Sequence, residues 1–336
     1  MQKNTDWSPR EKLVLVTGAA GFIGSHLVER LVKEGAKVRA FVHYNSAGRL
    51  HNLEFLPADT KRELEIISGD IQDPFQVRNA VKDCDTVFHL ASLIAIPYSY
   101  ISPASYADVN VKGTLNVLEA CRTEGVRRLI HTSTSEVYGT ALYTPIDEKH
   151  PLQGQSPYSA TKIGADKLVE SYHRSFDLPA ATIRPFNTFG PRQSPRAIIP
   201  TILCQLLNKS GTLKLGATDP VRDFLFVSDT VQGFLAVAGC DDCVGKVTNV
   251  GTGRGITIEG LARLLMNVIG QEAEVICDQQ RVRPSASEVR ALICDATAAK
   301  ERFGWSPSVT LEEGLKMVAA FVESNPELFM GREYRI

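Results

Sequence analysis

Cysteine is scarce in this sequence and falls into no pattern of pairs: seven thiols, Cys84, Cys121, Cys204, Cys240, Cys243, Cys277 and Cys294, are scattered over 336 residues. An odd, dispersed set excludes a disulfide framework and suits a reducing compartment. Cys240-Asp-Asp-Cys243 has CxxC spacing, but neither a second pair nor a histidine cluster completes a zinc site, so no metal is expected. Long apolar runs are lacking too. Met1 to Arg10 contains no apolar stretch of the secretory kind, and no later segment approaches the roughly 18 apolar residues that span a bilayer. The expectation is a cytoplasmic protein with no membrane partner. An excess of positive charge is also missing: 37 lysines and arginines stand against 38 aspartates and glutamates. That balance argues against a nucleic-acid surface and requires local clusters to meet any anionic ligand. No repeat or low-complexity segment occurs.

What is present is alternation, and 43% hydrophobic residues suffice for two joined domains. Short β-branched runs read as strands at Lys12 to Thr17, Lys37 to Val42, Leu64 to Ser68, Thr86 to Ala91, Arg128 to Ser133 and Ala181 to Arg184. Helical spacing separates them at Phe22 to Glu34, Pro74 to Asp83, Pro103 to Glu124 and Pro157 to Phe176, the last three opened by a first-turn proline. This order predicts an α/β protein with a Rossmann-like, doubly wound parallel sheet. After Pro185 the alternation loosens into a smaller C-terminal α/β substrate-binding domain. Lys246 to Gly251 reads as a strand returning to the main sheet. The expected division is 11–186 plus about 222–255 for the first domain, and 187–221 plus about 256–330 for the second.

The first strand runs into Thr17-Gly18-Ala19-Ala20-Gly21-Phe22-Ile23-Gly24 and then a helix, the context a dinucleotide fingerprint requires. Gly18 allows the tight turn, Gly21 lets backbone approach a pyrophosphate, and Gly24 permits close helix packing. The helix start, with Phe22 and Ile23, adds free amides and partial positive charge. An acid about twenty positions on normally takes the adenosine ribose hydroxyls and selects NAD. None occurs between Gly35 and Leu53. His43, Asn45, Ser46 and Arg49 stand there instead and suit a 2′-phosphate, so the cofactor is NADP or NAD, with NADP slightly favoured. Asp70 and Ile71, after the third strand, fall where an adenine contact would lie.

Ser133-Thr134-Ser135-Glu136-Val137-Tyr138-Gly139 ends the fifth strand, and Tyr158-Ser159-Ala160-Thr161-Lys162 lies on a helix. Tyr158 and Lys162, four apart, share one helical face. A free tyrosine titrates near 10, so phenolate at neutral pH needs a shift of about three units, worth roughly 4 kcal/mol. The Lys162 ammonium and a positive nicotinamide ring are the groups expected to supply it. The phenolate would then take a hydroxyl proton as hydride leaves the same carbon. His89, at a strand end, reads as structural, and Asn110 as a backbone-bonding support.

TGAAGFIGSHL, HLAS, STSEVYG, SPYSATK and RPFNTFGPRQ together resemble the extended short-chain dehydrogenase/reductase family of nucleotide-sugar epimerases, decarboxylases and 4,6-dehydratases. The likeness runs from Lys12 to Trp305. Leu152 to Tyr158 looks most like the retaining 4,6-dehydratases acting on UDP- or GDP-N-acetylglucosamine, of the legionaminic-acid type. The resemblance implies a homodimer built on the helices near 103–124 and 157–176. It implies that Leu90, Ala91 and Ser92 line the cofactor. Tyr158 would be the base for the 4-hydroxyl, Lys162 its electrostatic partner and nicotinamide-ribose ligand, and Thr134 a donor beside that hydroxyl. Glu136 would be the base at C5. Glucose-type dehydratases place an aspartate where Ser135 stands, as in the GDP-mannose type, which leaves open whether Glu136 serves as acid as well as base.

The resemblance assigns Asn187 to the sugar diphosphate. Arg192, Arg222 and Arg283 are separated cationic points whose guanidinium forks suit a diphosphate, and Glu288 is a candidate ribose contact. The expected activity is therefore 4,6-dehydration of a nucleotide hexose, UDP-N-acetylglucosamine or its GDP counterpart. A UDP-glucuronate decarboxylase, a 4-epimerase and a non-enzymatic dinucleotide sensor stand as alternatives.

Overall fold

A computed structural model describes residues 7–209 and 211–329. Met1 to Asp6, part of the segment read for a leader, and position 330, the end of the expected second domain, lie outside the described residues. Thirteen strands follow one another among the described residues: β1 (Leu13–Thr17), β2 (Lys37–His43), β3 (Leu64–Gly69), β4 (Thr86–His89), β5 (Arg128–Thr132), β6 (Ala180–Pro185), β7 (Asn187–Phe189), β8 (Thr212–Leu215), β9 (Val221–Phe226), β10 (Val247–Val250), β11 (Gly255–Thr257), β12 (Glu274–Cys277) and β13 (Ala291–Leu292). Seven form one sheet in the order β10-β6-β5-β4-β1-β2-β3, and all its pairings are parallel. The strand order reverses between β1 and β4, so a crevice opens at their carboxyl ends, where ligands bind in such sheets. The returning strand is β10, paired with β6.

Side chains on both faces of the sheet are apolar because helices cover both. The helix Phe22–Lys33 buries Leu27, Val28 and Leu31 in a core with Val14, Val16, Phe88 and Phe234. On the opposite face Leu15, Val87 and Leu129 meet Val117, Leu118 and Val169. A separate apolar cluster gathers Leu203, Phe224, Phe226, Leu261 and Leu315. It lies beside the small sheet β11-β9-β13, to which β7 adds on β9, and the pair β8 and β12. β9 belongs to this small sheet, although 222–226 was assigned to the first domain. Its side chains alternate: Leu225 enters the main core, while Phe224 and Phe226 enter the second.

Two further departures have local causes. The strand expected to reach Ala91 stops at His89, because the Thr17 hydroxyl accepts from Leu90 N and Ala91 N at 3.1 Å each. The helix expected over Pro103 to Glu124 contains a wide π-type turn at Ala107–Lys112, which turns Asn110 inward. There Asn110 Oδ1 accepts from Leu93 N and its Nδ2 donates to Leu93 O. A short helix at Ile96–Ile101, not anticipated, precedes it.

Candidate active site

At the crevice, Gly18 has φ +69° and a Cβ there would lie 2.8 Å from Ala91 N. A Cβ on Gly24 would lie 2.2 Å from Gly18 O, so the helix packs on the turn at a distance only glycine permits. The helix Phe22–Lys33 carries no side-chain cap and no acid in its first turn. Its initial amides are therefore unopposed by a carboxylate, a ready anion site. Thr17 Oγ1 also meets His89 Nδ1 at 2.8 Å, and His89 Nε2 meets Thr114 at 3.0 Å. Burial holds His89 well below the ordinary histidine value. Its place is structural, as read. The residues present thus fit a dinucleotide: a glycine cradle, free amides and a buttressed loop at Leu90, Ala91 and Ser92.

The residues expected to contact the adenosine ribose are arranged differently from the expectation. Arg49 forks onto Glu54, Nε to Oε1 at 2.9 Å and Nη2 to Oε2 at 3.1 Å. Asn45 bonds both the N–H and the carbonyl of Arg49, and His43 and Ser46 are exposed. The tilt toward NADP therefore loses the free cation on which it rested. Asp70 folds back on Gln72, and Ile71 is buried beside Gly113.

The chemistry-bearing residues meet at the ends of β5 and β6. Ser156 caps the helix Pro157–Phe176 in a reciprocal capping box with Ser159, and that helix buries Tyr158 and Lys162 on the face toward β5. Lys162 Nζ donates to Thr132 O at 2.7 Å. Burial lowers its pKa to about 8, opposed by Asp166. Thr134 caps a short turn over Ser135–Tyr138, accepting from Glu136 N, and its hydroxyl lies near enough to the Tyr158 phenol to lower its pKa. Burial drives that phenol well above its ordinary value, Thr134 pulls it down, and Glu136 pushes it up. In the protein alone burial outweighs the neighbouring side chains at Tyr158, and the expected lowering calls on Lys162 and a positive nicotinamide ring together. Ser135 is buried behind the turn.

On the opposing side, Arg222 Nη2 donates to Glu288 Oε1 at 3.2 Å, and Arg283 lies 3.5 Å from the same oxygen. Burial lowers the pKa of the Arg222 guanidinium and Glu136 opposes it, while burial and Glu136 both raise the Tyr158 phenol. Asn187 Oδ1 is buried without a partner. Arg192 does not join this cluster; it is tied to the first helix, donating to Glu29 at 2.7 Å. Sequence reasoning missed the bonds that join the segments around Tyr100, Gln155 and Ser287. Tyr100 Oη meets Ser287 Oγ at 2.6 Å, and Ser287 Oγ donates to Gln155 O at 2.6 Å.

A family model described as GDP-mannose 4,6 dehydratase matches residues 15–318. The chain belongs to that family, within the extended short-chain dehydrogenase/reductases. A UDP-glucose 4-epimerase of Mycolicibacterium smegmatis is 35% identical over 319 residues, covering 93% of this chain and 99% of the relative. A dTDP-D-glucose 4,6-dehydratase of Mus musculus is 31% identical, covering 94% and 89%. Among solved structures, a dTDP-glucose 4,6-dehydratase from Streptomyces venezuelae with NAD bound superposes with TM-score 0.86 at 29% identity, covering 94% of this chain and 98% of that one. A UDP-glucose 4-epimerase from Thermotoga maritima gives 0.83 at 30%, covering 94% and 99%. Both dehydratases and epimerases of nucleotide sugars thus share this fold with the family member described here.

The family member carries one further buried assembly that its sequence did not announce. Asp166, one turn beyond Lys162, accepts from Arg184 at 2.7 Å and Ser133 at 2.6 Å, and His131 Nε2 lies 3.1 Å away. The spacing Tyr158, Lys162, Asp166 is the signal that could have found it, since all three share one helical face.

Proposed function

We propose that this chain is a nucleotide-sugar 4,6-dehydratase acting on a nucleotide hexosamine, UDP-N-acetylglucosamine or its GDP counterpart. The observation that carries the reading is the turn Ser135–Tyr138, which follows β5, carries Glu136 and packs against the helix that buries Tyr158 and Lys162. A 4-epimerase needs only a base for the 4-hydroxyl. A decarboxylase needs a cation for the sugar's C6 carboxylate, and the stretch Tyr158 to Asp166 resembles dehydratases more.

The dinucleotide, when bound, supplies a hydride acceptor that also returns the hydride. Its cradle is Gly18, Gly21, Phe22, Ile23, Gly24 and the Leu90–Ser92 loop. The occupied fork of Arg49 and the NAD in a related dehydratase favour NAD. Tyr158 takes the 4-hydroxyl proton as phenolate, the form that Lys162 and the positive charge of the bound dinucleotide would stabilise, while Thr134 holds that oxygen. The resulting 4-keto group acidifies C5–H, Glu136 removes that proton, and the C6 hydroxyl leaves as water with a proton returned by the same carboxyl; C6 then receives the hydride and C5 a proton from solvent. Ser135, buried, supports the turn that presents Glu136. Arg222, Arg283 and the orphaned Asn187 hold the nucleotide diphosphate, Glu288 contacts its ribose, and Arg192 braces the first helix. A homodimer through the helices Gly113–Glu124 and Pro157–Phe176, in the cytoplasm, completes the reading.

The test is a panel of UDP-, GDP- and dTDP-sugars with mass spectrometry of the product. Loss of one water from a hexosamine substrate is the expected result. Loss of carbon dioxide, or isomerisation at unchanged mass, would replace the reading by a decarboxylase or an epimerase.

A further inference from the structure

The Lys162 ammonium is buried, and only one anion stands near it on the catalytic helix. We propose that Asp166 is a positioning residue for the reaction: anchored by Arg184, His131 and Ser133, its carboxylate keeps the Lys162 ammonium charged and fixed beneath Tyr158. The proposal rests on the catalytic reading of Tyr158 and Lys162.

Every bond in the anchor is buried. The side chains of Asp166 and Arg184 are 5% and 3% exposed. Arg184 also donates to Ser133 through Nε at 3.2 Å and to the Tyr138 hydroxyl through Nη1 at 2.7 Å. Tyr138 passes its own proton to Asn249 at 2.8 Å. His131 Nδ1 is buried without a partner, so its single proton sits on Nε2 and points at Asp166. The anchor therefore ties the catalytic helix to β5, β6 and β10 at once.

The charges decide what Asp166 does. Facing the Lys162–Asp166 pair are His89 from β4, His131 from β5, Arg184 from β6, Glu136 from the turn after β5, Tyr106 from the helical segment before the π-type turn, and Tyr158 from the same helix. Burial holds both histidines below their ordinary value, and the two phenols are pushed up, so these four are neutral. Within the anchor itself Lys162 and Arg184 are two buried cations, and Asp166 is the carboxylate that acts on both. Without Asp166 two cations would be buried together. Arginine cannot shed its proton and lysine can, so Lys162 would be the one to lose its charge. Asp166 is itself held well below the usual carboxylate range, with Arg184 the largest favourable cause against burial, so it remains ionised wherever the enzyme works.

The experiment is the pH profile of turnover under saturating substrate. In the native enzyme the alkaline limb reports loss of the Lys162 proton, expected near pH 8. Asp166→Asn is expected to move that limb down by about one pH unit, the scale of a nearby charge, with a roughly tenfold larger loss at pH 8 than at pH 6. Arg184→Gln, which removes the opposing cation, is expected to move it up, and decides the matter if Asp166→Asn does not fold. A uniform fall in turnover with the limb unmoved in either variant would overturn the proposal, since a purely structural brace shifts no titration. Failure of the underlying reading looks different: Tyr158→Phe would then turn over like the native enzyme.

Discussion

Tyr158 is the residue on which the proposed chemistry turns. Its phenol is buried, and burial pushes it well above its ordinary value while Thr134 pulls it down. Replacing it by phenylalanine keeps the ring's packing against Tyr106 and removes only the proton acceptor. Turnover should fall at least about a hundredfold, the usual scale for general acid–base groups, while sugar and dinucleotide binding measured by calorimetry stay near native. Near-native turnover would remove Tyr158 from the mechanism. The Tyr158/Lys162 pair was legible because helical spacing alone sets two side chains on one face. The elevation of the phenol was not legible, because desolvation depends on what the rest of the chain stacks over it. Arg192 shows the same limit. Its motif suggested a diphosphate ligand, but Glu29, 163 positions away, claims its guanidinium, and only the folded chain brings the two together.

At the scale of elements, the β1 turn and the β4 loop are joined by one hydroxyl. Thr17 Oγ1 accepts two backbone amides and meets His89. Thr17→Val keeps the shape and takes the hydroxyl from Ala91 N and His89 Nδ1, while Leu90 N retains Thr17 O at 3.2 Å. The expected loss is about 2–3 kcal/mol of stability by urea titration, the cost of unsatisfied buried polar groups, together with weaker dinucleotide binding. A loss below about 0.5 kcal/mol would mean that water replaces the hydroxyl. The glycine spacing made this cradle readable, since a turn before a helix imposes its own local demands. The β2 loop was less readable for the opposite reason: an absent acid said what does not repel a phosphate, and nothing about the Arg49–Glu54 pair. Denaturing the purified protein and identifying the released dinucleotide should accordingly show NAD. Exclusive NADP would mean that the Arg49–Glu54 fork opens for a phosphate.

For the whole molecule, the parallel sheet places the ends of β1, β4, β5 and β6 along one edge, and the second apolar cluster faces that edge with Arg222, Arg283 and Glu288. The sheet was readable from alternation, whereas the small sheet was not, because β7, β11 and β13 are only two or three residues long and carry no periodicity. Arg222→Met should raise KM at least about tenfold with a smaller change in kcat, as expected when an interaction common to ground and transition states is removed. An unchanged KM would take the diphosphate elsewhere. The central claim is that Glu136 separates oxidation from elimination, since a group acting only at elimination lowers turnover without weakening ground-state binding. Turnover of the nucleotide hexosamine in deuterated water tests it most directly, comparing the native enzyme with Glu136→Gln by mass spectrometry and NMR. The native product should be a 4-keto-6-deoxy sugar with one solvent deuterium at C5 and the original C4 hydrogen carried to C6, and the variant should bind substrate yet release almost none of it. Substantial dehydrated product from the variant, or a native product without deuterium at C5, would contradict the account.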